Sequence, residues 1–477
     1  MSDPAPQTPN PSSPGGEGES TLYAARKKIY VRAAKGLFAN WRWALVWFTQ
    51  LLFYGLPWIN WNGRQAVLLH LVERKFYIFG WVFWPQDVFF LAILLIISAY
   101  ALFFFTAIAG RLWCGYACPQ TVYTEIFLWI EEKIEGDRNK RMKLDKAPWN
   151  GRKLSVKLLK WGAWAAVALW TGFTFVGYFT PINELLASVP TFSFGGWEIF
   201  WIIFYGCFTY LFAGVMREQV CKYMCPYARF QGVMFDPDTL VITYDEERGE
   251  PRGARKKGID PKTVGKGDCV DCGICVQVCP TGIDIRQGLQ YECIGCAACI
   301  DACDEVMDKM NYPRGLIRYS TENAMKKHWG MKEIIGHVMR PRTMIYGGIL
   351  VAICIAFVYG LATREPLRVD IIRDRTTLAR EVAGGKIENV YRLQVMNMTE
   401  APRTFSVSVE GMDGISMDGF NGTIEVEPAA MQALTVQVQV PVDVGEPGSS
   451  NQIFFNVTAA DDDKIAVKEK STFLLPR

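Results

Sequence analysis

Five long apolar runs separate the polar segments of the chain before residue 363. They cover residues 43–61, 88–110, 161–179, 199–216 and 344–362. A helix needs about 20 apolar residues to cross the hydrocarbon core of a bilayer, and backbone groups in lipid must be paired within the segment itself. Each run therefore predicts a membrane-spanning helix. The aromatic run at residues 76–84 is too short to span, and its Trp and Tyr content predicts an interfacial or re-entrant segment.

The pattern changes beyond Pro366, where apolar and polar residues alternate. The alternation is clearest at residues 404–411, 433–442, 452–459 and 465–475. A period of two with many β-branched residues, interrupted by Gly, Pro, Asn and Asp, indicates strands separated by turns. A stretch of about 110 such residues predicts an all-β sandwich of the immunoglobulin type. This segment contains no cysteine, so core packing alone has to stabilise it.

The distribution of Lys and Arg predicts the orientation in the membrane. Nine of these residues lie in the loop at 111–153, three lie at 62–87 and none lies at 180–198. Short cytoplasmic loops carry an excess of Lys and Arg. The N-terminus, the loop at 111–160 and the segment at 217–343 are therefore predicted to be cytoplasmic, and the C-terminal domain periplasmic. If one apolar run were instead a buried core helix, the orientation of the C-terminal half across the membrane would be inverted.

These patterns divide the chain into five parts. Residues 1–20, rich in Pro, Ser and Gly, are predicted to form a disordered tail rather than a signal peptide. Residues 21–216 are predicted to form a four-helix membrane region, and residues 217–343 a cytoplasmic segment. Residues 344–362 are the fifth predicted span, and residues 366–477 are the predicted periplasmic sandwich.

Composition bears on the choice of cofactor and partner. The formal net charge of +3 does not favour a nucleic-acid partner. No glycine-rich phosphate loop follows a strand pattern, so no nucleotide cofactor is predicted. The 14 cysteines are more informative, because eight of them lie between Cys269 and Cys303. Such close spacing on the cytoplasmic side indicates metal ligands rather than disulfides.

The eight clustered cysteines form two similar runs, CVDCGICVQVCP and CIGCAACIDAC. Each has the C-x2-C-x2-C-x3-C spacing of bacterial ferredoxins with two [4Fe–4S] clusters, in which the fourth cysteine binds the other cluster. We therefore predict a two-cluster ferredoxin domain at about residues 260–312. The first cluster is assigned to Cys269, Cys272, Cys275 and Cys303, and the second to Cys293, Cys296, Cys299 and Cys279.

Two other interpretations of these runs are weaker. Zinc ribbons use two CxxC pairs rather than duplicated four-cysteine runs, and disulfides are rare in the cytoplasm. The second run departs from the first at its end, where Asp304 follows Cys303 but Pro280 follows Cys279. This difference affects the expected local turn and not the expected ligands.

Four further cysteines form two CxxxCP motifs, each directly after an apolar run. They are Cys114 and Cys118 in RLWCGYACPQ, and Cys221 and Cys225 in REQVCKYMCPYARFQ. Cysteines four residues apart share one face of a helix, and Pro119 and Pro226 are expected to end or kink that helix. If the two preceding spans are neighbours, the four thiols converge.

Four thiolates in one place suit a soft cation such as Cu(I), a further iron–sulfur cluster, or dithiol cycling. The adjacent cations Arg111, Arg217, Lys222 and Arg229 are expected to lower the thiol pKa values. The alternative is that these cysteines only pack between helices. Cys207 and Cys354 stand singly within apolar runs. The simpler interpretation is that they only pack between helices, and the other is that they belong to a path for copper.

The whole arrangement resembles the cytochrome c oxidase accessory protein family of the FixG or CcoG type. The stretches RLWCGYACPQTVYTE and CKYMCPYARFQGVMFDPDTL are similar to that family's signature segments. The resemblance implies a multi-pass protein of the bacterial inner membrane that assembles cbb3-type cytochrome oxidase. It also implies an oxidoreductase that converts Cu(II) to Cu(I), with copper-delivery proteins or the oxidase assembly as partners.

The predicted fold is thus an α-helical polytopic membrane protein with five spans, a two-cluster ferredoxin segment and an immunoglobulin-like sandwich. Low-potential clusters, near about −400 mV in ferredoxins, would reduce Cu(II) at the CxxxCP thiols. One rival function is a quinol-dehydrogenase subunit that sends electrons to a periplasmic partner. Another is a copper-binding scaffold without turnover. The electron donor is not identified, and a homodimer is kept as a candidate assembly.

Overall fold

The computed structural model describes residues 28–374 and 379–476. The predicted disordered tail at residues 1–20 lies outside these ranges. The described chain has three layers: a bundle of long helices, a cysteine-rich segment at one end of the bundle, and a β-sandwich at the other.

The N-terminal half is mainly helical, with small β-hairpins after the first helix. Its helices are α1 (Leu37–Gly55), α2 (Val88–Ala109), α3 (Leu112–Tyr116), α4 (Pro119–Glu135), α5 (Arg138–Lys146), α6 (Gly151–Val176), α7 (Ile182–Ala187) and α8 (Gly196–Thr209). Two π-helical segments follow α8, at Tyr210–Met216 and Val220–Met224. The strands are β1 (Asn60–Trp61), β2 (Arg64–Gln65), β3 (Val67–His70), β4 (Lys75–Ile78) and β5 (Trp81–Phe83).

Three helical stretches among the described residues are long and apolar enough to cross a membrane. They are Pro85–Ala109, Gly196–Met216 and Pro341–Ala362, and they match the second, fourth and fifth predicted spans. The first and third predicted spans coincide with α1 and α6, which each contain three Trp, and α6 also carries four basic residues in its first turns. Five spans therefore remain a prediction.

The ends of α1 and α6 differ from those predicted at residues 43–61 and 161–179. Helix α1 begins at Leu37, because the Asp301 carboxylate accepts hydrogen bonds from the backbone N–H groups of Phe38 (3.2 Å) and Ala39 (2.7 Å). Helix α6 begins at Gly151, where the Asn150 side chain caps it. Its first turns are polar, because their lysines pair with carboxylates of α4 and α5.

Residues 76–84 form most of a small antiparallel sheet, β3–β4–β5, in which Phe76 pairs with Leu69 and Phe83. This sheet region connects the bundle to the sandwich. Arg64 forms an ion pair with Glu400 of the sandwich (2.5 Å), and Arg364, after the last long helix, forms one with Asp87 (2.5 Å). The helix ends on this side are therefore tied to one another and to the C-terminal domain.

The cysteine-rich segment has short elements and one longer helix. They are α9 (Pro226–Met234), β6 (Val241–Tyr244), α10 (Glu246–Gly249), α11 (Ile274–Gln277), α12 (Ala298–Met310), β7 (Ile317–Ser320), α13 (Glu322–Lys327) and α14 (Met331–Val338). Strands β6 and β7 pair antiparallel, with Val241 opposite Ser320. Helix α15 (Pro341–Ala362) then runs back along α2 to the sandwich.

The C-terminal domain consists of two antiparallel sheets packed face to face. Its strands are β8 (Leu367–Arg373), β9 (Arg380–Val382), β10 (Lys386–Asn397), β11 (Arg403–Glu410), β12 (Ser416–Asp418), β13 (Thr423–Val426), β14 (Met431–Pro441), β15 (Ser450–Ala459) and β16 (Ala466–Leu474). One sheet has the order β12–β14–β10–β8, with β9 beside β10, and the other has the order β13–β11–β15–β16.

The core of this sandwich confirms the predicted all-β domain. Tyr391, Phe405 and Phe455 are fully buried between the sheets, and the Tyr391 hydroxyl donates to the carbonyl of Thr472 (2.8 Å). The four predicted strands are β11, β14, β15 and β16. Alternation did not predict the long central strand β10, because Glu388 and Asn389 interrupt its apolar pattern although both are buried.

Candidate metal centre

The first predicted cluster set lies around one cavity. Cys269, Cys272, Cys275 and Cys303 line it together with Tyr244 and Arg286. The pKa of Cys303 is raised to about 12, mainly by burial and then by the charges of Cys275 and Cys269. Cys303 is on α12, whereas the other three cysteines precede or belong to α11. The fold therefore brings the distant fourth cysteine to the first run.

The second set lies deeper, next to the helical bundle. Burial raises the pKa of Cys293 to about 12, and the charges of Cys296 and Cys279 act in the same direction. The pKa of the buried Cys299 is also raised, first by burial and then by Cys296, Cys293 and Cys279. Cys279, from the first run, is therefore grouped with the three leading cysteines of the second run. The structure brings together both predicted sets.

The two cysteine loops repeat one backbone geometry. Gly273 follows the second cysteine of the first run, and Ala297 follows the second cysteine of the second run. Both adopt left-handed conformations, with φ of 64° and 57°, and both precede the helix that carries the third cysteine. Glycine adopts this conformation readily, while alanine needs support from its surroundings. Ala297 is fully buried, which provides that support.

The donor set fits [4Fe–4S] clusters rather than single metal ions. Within residues 28–374 and 379–476, no three Cys, His, Asp or Glu side chains lie close enough to bind one ion. A cluster requires a wider arrangement, because each thiolate binds a different iron atom of the cube. Two sets of four thiols, each wholly sulfur and largely buried, provide this chemistry.

The four CxxxCP cysteines are positioned differently from the prediction of one helix for each pair. Cys114 lies in α3 and Cys221 in the second π-helical segment, whereas Cys118 and Cys225 are the extended residues that precede α4 and α9. Pro119 and Pro226 occupy the first position of these following helices. Proline suits that position, because the first N–H of a helix has no partner within it. The prolines thus begin helices, and each cysteine pair spans a break.

The four thiols nevertheless converge. The charges of Cys118 and Cys225 act on Cys114, and those of Cys118, Cys114 and Cys225 act on Cys221. We call Cys114, Cys118, Cys221 and Cys225 the thiol quartet. Cys114 and Cys118 follow the end of α2, and Cys221 and Cys225 follow the π-helical continuation of α8. The repeated motif predicted both positions.

The predicted lowering of the thiol pKa values is wrong. The pKa of Cys114 is raised to about 11 and that of Cys221 to about 12, mainly by burial and then by the other thiols of the quartet. Arg111 opposes this shift only weakly, and its guanidinium donates to the carbonyls of Tyr291 and Ala228. Desolvation and mutual repulsion outweigh the nearby cation. Bound metal, rather than neighbouring Arg, would hold these sulfurs as thiolates.

Gln231 is a site residue that sequence analysis did not predict. Its side chain is fully buried on α9, and the Cys114 thiol donates to Gln231 Oε1 over 3.4 Å. The Gln231 amide is also close enough to hydrogen-bond with the hydroxyl of Tyr227. The residue ends the motif stretch CPYARFQ, but one glutamine in a polar helix carries no signal of its own. Its buried amide can therefore orient Cys114 and face whatever the quartet binds.

The quartet lies directly against the second cysteine set. Cys114 and Cys221 pack against Ile294, Cys296 and Ala298. The two backbones also pack tightly at Gly115, where an added Cβ would lie 2.8 Å from Cys296 Cα and from the backbone of Gly295. The quartet and the second cysteine set are therefore neighbours in the fold.

Buried ion pairs hold the elements around the site. Glu131 of α4 is almost fully buried and lies near Arg217 (2.8 Å), Arg141 (3.4 Å) and Lys160 (3.8 Å). Burial alone would raise the pKa of this carboxyl, but Arg217, Lys160 and Arg141 together lower it below its usual range. These contacts fix the π-helical segment, α5 and α6 against α4.

Cys207 and Cys354 lie singly in α8 and α15, and Cys207 is exposed on the surface of its helix. Neither belongs to the two cysteine sets or to the quartet.

Comparison with known proteins supports this description. Residues 216–322 match the 4Fe-4S dicluster domain family, and residues 91–136 match the 4Fe-4S binding domain family. Residues 357–476 match the family described as the IG-like fold at the C-terminal of FixG. The dicluster match contains both cysteine sets and the second CxxxCP motif, and the 91–136 match contains the first.

Two bacterial proteins are similar over most of their length. The nitrogen fixation protein FixG of Rhizobium meliloti is 39% identical over 459 residues, which cover 88% of each chain. Protein RdxB of Cereibacter sphaeroides is 38% identical over 440 residues, covering 90% of this chain and 92% of RdxB. A crystal structure of a FixG-related protein from Vibrio parahaemolyticus is 25% identical, with a TM-score of 0.21, and the match covers 24% of this chain and 98% of that one.

Proposed function

This chain belongs to the FixG family of membrane-associated 4Fe-4S proteins, and from that premise we propose that it reduces Cu(II) to Cu(I) for the assembly of cbb3-type cytochrome oxidase. The 4Fe-4S domains and relatives establish the coarser role of an iron–sulfur electron-transfer protein. The observation that carries the copper proposal is the thiol quartet packed against the second cysteine set.

The proposed topology has five spans in the bacterial inner membrane. Helices α1, α2, α6, α8 with its π-helical continuation, and α15 run between the cysteine-rich layer and the sandwich. The unequal distribution of Lys and Arg supports a cytoplasmic position for the cysteines and a periplasmic one for the sandwich. Tryptophans in α1 and α6 reduce their hydropathy without preventing insertion, since Trp favours the membrane interface.

We assign one [4Fe–4S] cluster to Cys269, Cys272, Cys275 and Cys303, and the other to Cys279, Cys293, Cys296 and Cys299. When bound, each cluster stores one electron at a time. Helix α12 carries both Cys299 and Cys303, so it provides a ligand to each cluster and fixes their separation. Cys269, Cys275 and Cys296 are buried, whereas Cys272 is exposed, so the first set reaches the protein surface.

Copper is the substrate in this proposal and binds to a pair of thiols of the quartet, because no three of these side chains lie close enough in the described structure to bind one ion. One electron delivered from the cluster side converts one Cu(II) to Cu(I), and thiolate sulfur favours the Cu(I) product because both are soft. A small pocket lined by Cys221, Gln120 and Glu125 leads to the quartet. Its carboxylate and amide oxygens offer harder ligands, which suit the incoming Cu(II).

The test compares wild type with the double variant Cys114→Ala/Cys221→Ala after anaerobic purification. We expect about eight iron atoms per chain in both proteins, as two [4Fe–4S] clusters require. We also expect protein that has been reduced with dithionite and then freed of excess dithionite to reduce Cu(II) as wild type but not as the variant. A matched control, Cys207→Ala/Cys354→Ala, removes the same number of thiols outside the quartet and should keep full activity.

Two results would contradict the proposal. Copper reduction that persists in the quartet variant would remove the quartet from the reaction. An iron content near about twelve that falls to about eight in the variant would instead identify the quartet as a third cluster site. The role in assembly is tested separately, since a strain carrying the quartet variant should lose cbb3 oxidase activity and recover it when Cu(I) is supplied.

A further inference from the structure

An apolar groove runs along the helices next to the second cysteine set. It lies between α1, α4 and α6, and its walls include Trp43, Trp47, Leu51, Trp129 and Trp170. Its volume of about 820 Å³ is within the range of about 300–1,000 Å³ that small-molecule sites occupy. Trp47 and Leu51 are exposed on α1, so the groove opens on the side that would face lipid. Its shape suits a flat lipophilic ring.

The groove also contains polar groups. Gln50 and Tyr54 of α1 line it, and the Tyr54 hydroxyl lies 2.8 Å from Thr171 Oγ1 on α6. Tyr123 of α4 is close enough to hydrogen-bond with Tyr54 and Gln50. Gln50 Oε1 is buried and has no hydrogen-bond partner among the described residues. This oxygen needs a donor that a hydrocarbon chain cannot provide.

A polar pocket connects the groove to the second cysteine set. Trp43 and Trp129 line both spaces, and the pocket is also lined by Arg42, Glu125 and Pro280, the residue after Cys279. The Arg42 guanidinium is buried and lies close enough to Cys296 for their charges to interact. A buried cation beside a cluster stabilises its reduced, more negative form and raises its potential. Glu125 offsets part of this charge, since it lies 3.7 Å from Arg42. A quinol can reduce the nearest cluster only when the potential of that cluster lies well above that of a ferredoxin cluster, and Arg42 shifts it in that direction.

We propose that this groove binds an isoprenoid quinol, which donates the electrons for the reaction. The quinol ring lies among the tryptophans, and one of its hydroxyls donates to Gln50 Oε1. Oxidation breaks two O–H bonds and yields one quinone, two electrons and two protons. The electrons pass singly to the two clusters, and the protons leave through the pocket lined by Glu125 and Glu132. The quinol site rests on the proposed function in one respect only, namely that copper is the final acceptor of these electrons.

The binding test uses full-length protein in lipid nanodiscs and menadione as the probe. Quinones quench tryptophan fluorescence at short range, and four of the lining residues are tryptophans, so we expect saturable quenching. Gln50→Leu should weaken binding at least tenfold, because it removes the oxygen that accepts from the quinol, and a parallel Tm measurement reports the loss of the contact with Tyr123. Ala166→Phe should weaken binding by filling the groove. Ala92→Phe is the matched control, since Ala92 is an exposed position of α2 and does not line the groove.

The electron-transfer test follows bleaching of the cluster absorbance by menadiol under anaerobic conditions, because menadiol reacts with free copper directly. Gln50→Leu and Ala166→Phe should slow this bleaching at least tenfold, while dithionite still bleaches their clusters and drives copper reduction. Unsaturable quenching in wild type, or wild-type affinity and bleaching in both variants, would show that the groove holds only lipid. If menadiol bleaches the clusters but dithionite-reduced protein reduces no copper, the copper proposal is wrong and the quinol site stands.

Discussion

At the scale of single residues, Gly115 sets the distance between the thiol quartet and the second cysteine set. An added Cβ would lie 2.8 Å from Cys296 Cα, and the obstructing atoms are backbone, which cannot rotate away. We expect Gly115→Ala to destabilise the protein by about 1–3 kcal/mol. We also expect it to slow copper reduction by about tenfold or more. Thermal unfolding and single-turnover kinetics after dithionite reduction measure the two effects.

The matched control is Gly162→Ala in α6, where an added Cβ meets nothing within 4 Å. This change should leave the reduction rate unaffected and slightly favour the helix, because alanine is the better helix former. A Gly115→Ala protein with wild-type rate and stability would show that neither copper reduction nor folding depends on this contact.

At the scale of elements, Glu131 of α4 forms ion pairs with residues of three other segments: α5, α6 and the end of the π-helical stretch. Glu131→Gln leaves Arg217, Lys160 and Arg141 without their shared carboxylate, and breaking a buried pair costs about 3–5 kcal/mol. The expected result is a lower Tm at pH 7. The half-buried Glu132, the next residue on α4, provides the control Glu132→Gln, which should change Tm little.

The Glu131 effect should depend on pH with a definite sign. The folded state lowers the pKa of this carboxyl below its ordinary value of 4.5. The ion pairs therefore contribute fully above about pH 4.5 and lose their contribution as the pH falls through the lower, folded-state pKa. The Tm difference between wild type and Glu131→Gln should be largest at neutral pH and shrink in acid. A difference that grows as the pH falls would contradict this assignment.

The junction between α1 and α12 is a second element-scale prediction. Asp301 accepts hydrogen bonds from the N–H groups of Phe38 and Ala39 at the start of α1. Asp301→Ala should cost about 1 kcal/mol, as loss of a helix cap does, and should increase hydrogen exchange at residues 38 and 39. Asp301→Asn retains a side-chain acceptor and should have a smaller effect. Equal exchange in wild type and Asp301→Ala would exclude the cap.

At the scale of the whole molecule, the proposed five spans would place the two ends of the helical bundle on opposite sides of the membrane. An alkaline phosphatase fused after residue 290 should be inactive, and the same enzyme fused after the sandwich should be active, because it folds only in the periplasm. External protease should cleave the sandwich in spheroplasts and spare the cysteine-rich segment. An active fusion at residue 290 would invert the topology.

Much of this organisation was predictable because its signals are local. The apolar runs, the alternating strands and the duplicated cysteine spacing each occupy one stretch of chain, and the helices and sheets form there. The ends of α1 and α6 were not predictable, since Asp301 and the carboxylates of α4 and α5 lie far away in sequence. Strand β10 was not predicted for a related reason. Glu388 and Asn389 interrupt its apolar pattern, and only the folded sandwich shows that both side chains are buried.

The sequence by itself determined the classes of element and the spacing of the twelve grouped cysteines, because spacing and residue type act over short distances. Only the tertiary structure decided that Pro119 and Pro226 begin helices, that four thiols from two motifs meet, and that Gln231 faces Cys114. It also decided the direction of the thiol pKa shifts, since neighbouring Arg residues are visible in the sequence and desolvation is not. Burial is a property of the packed chain, and it sets the electrostatics of this site.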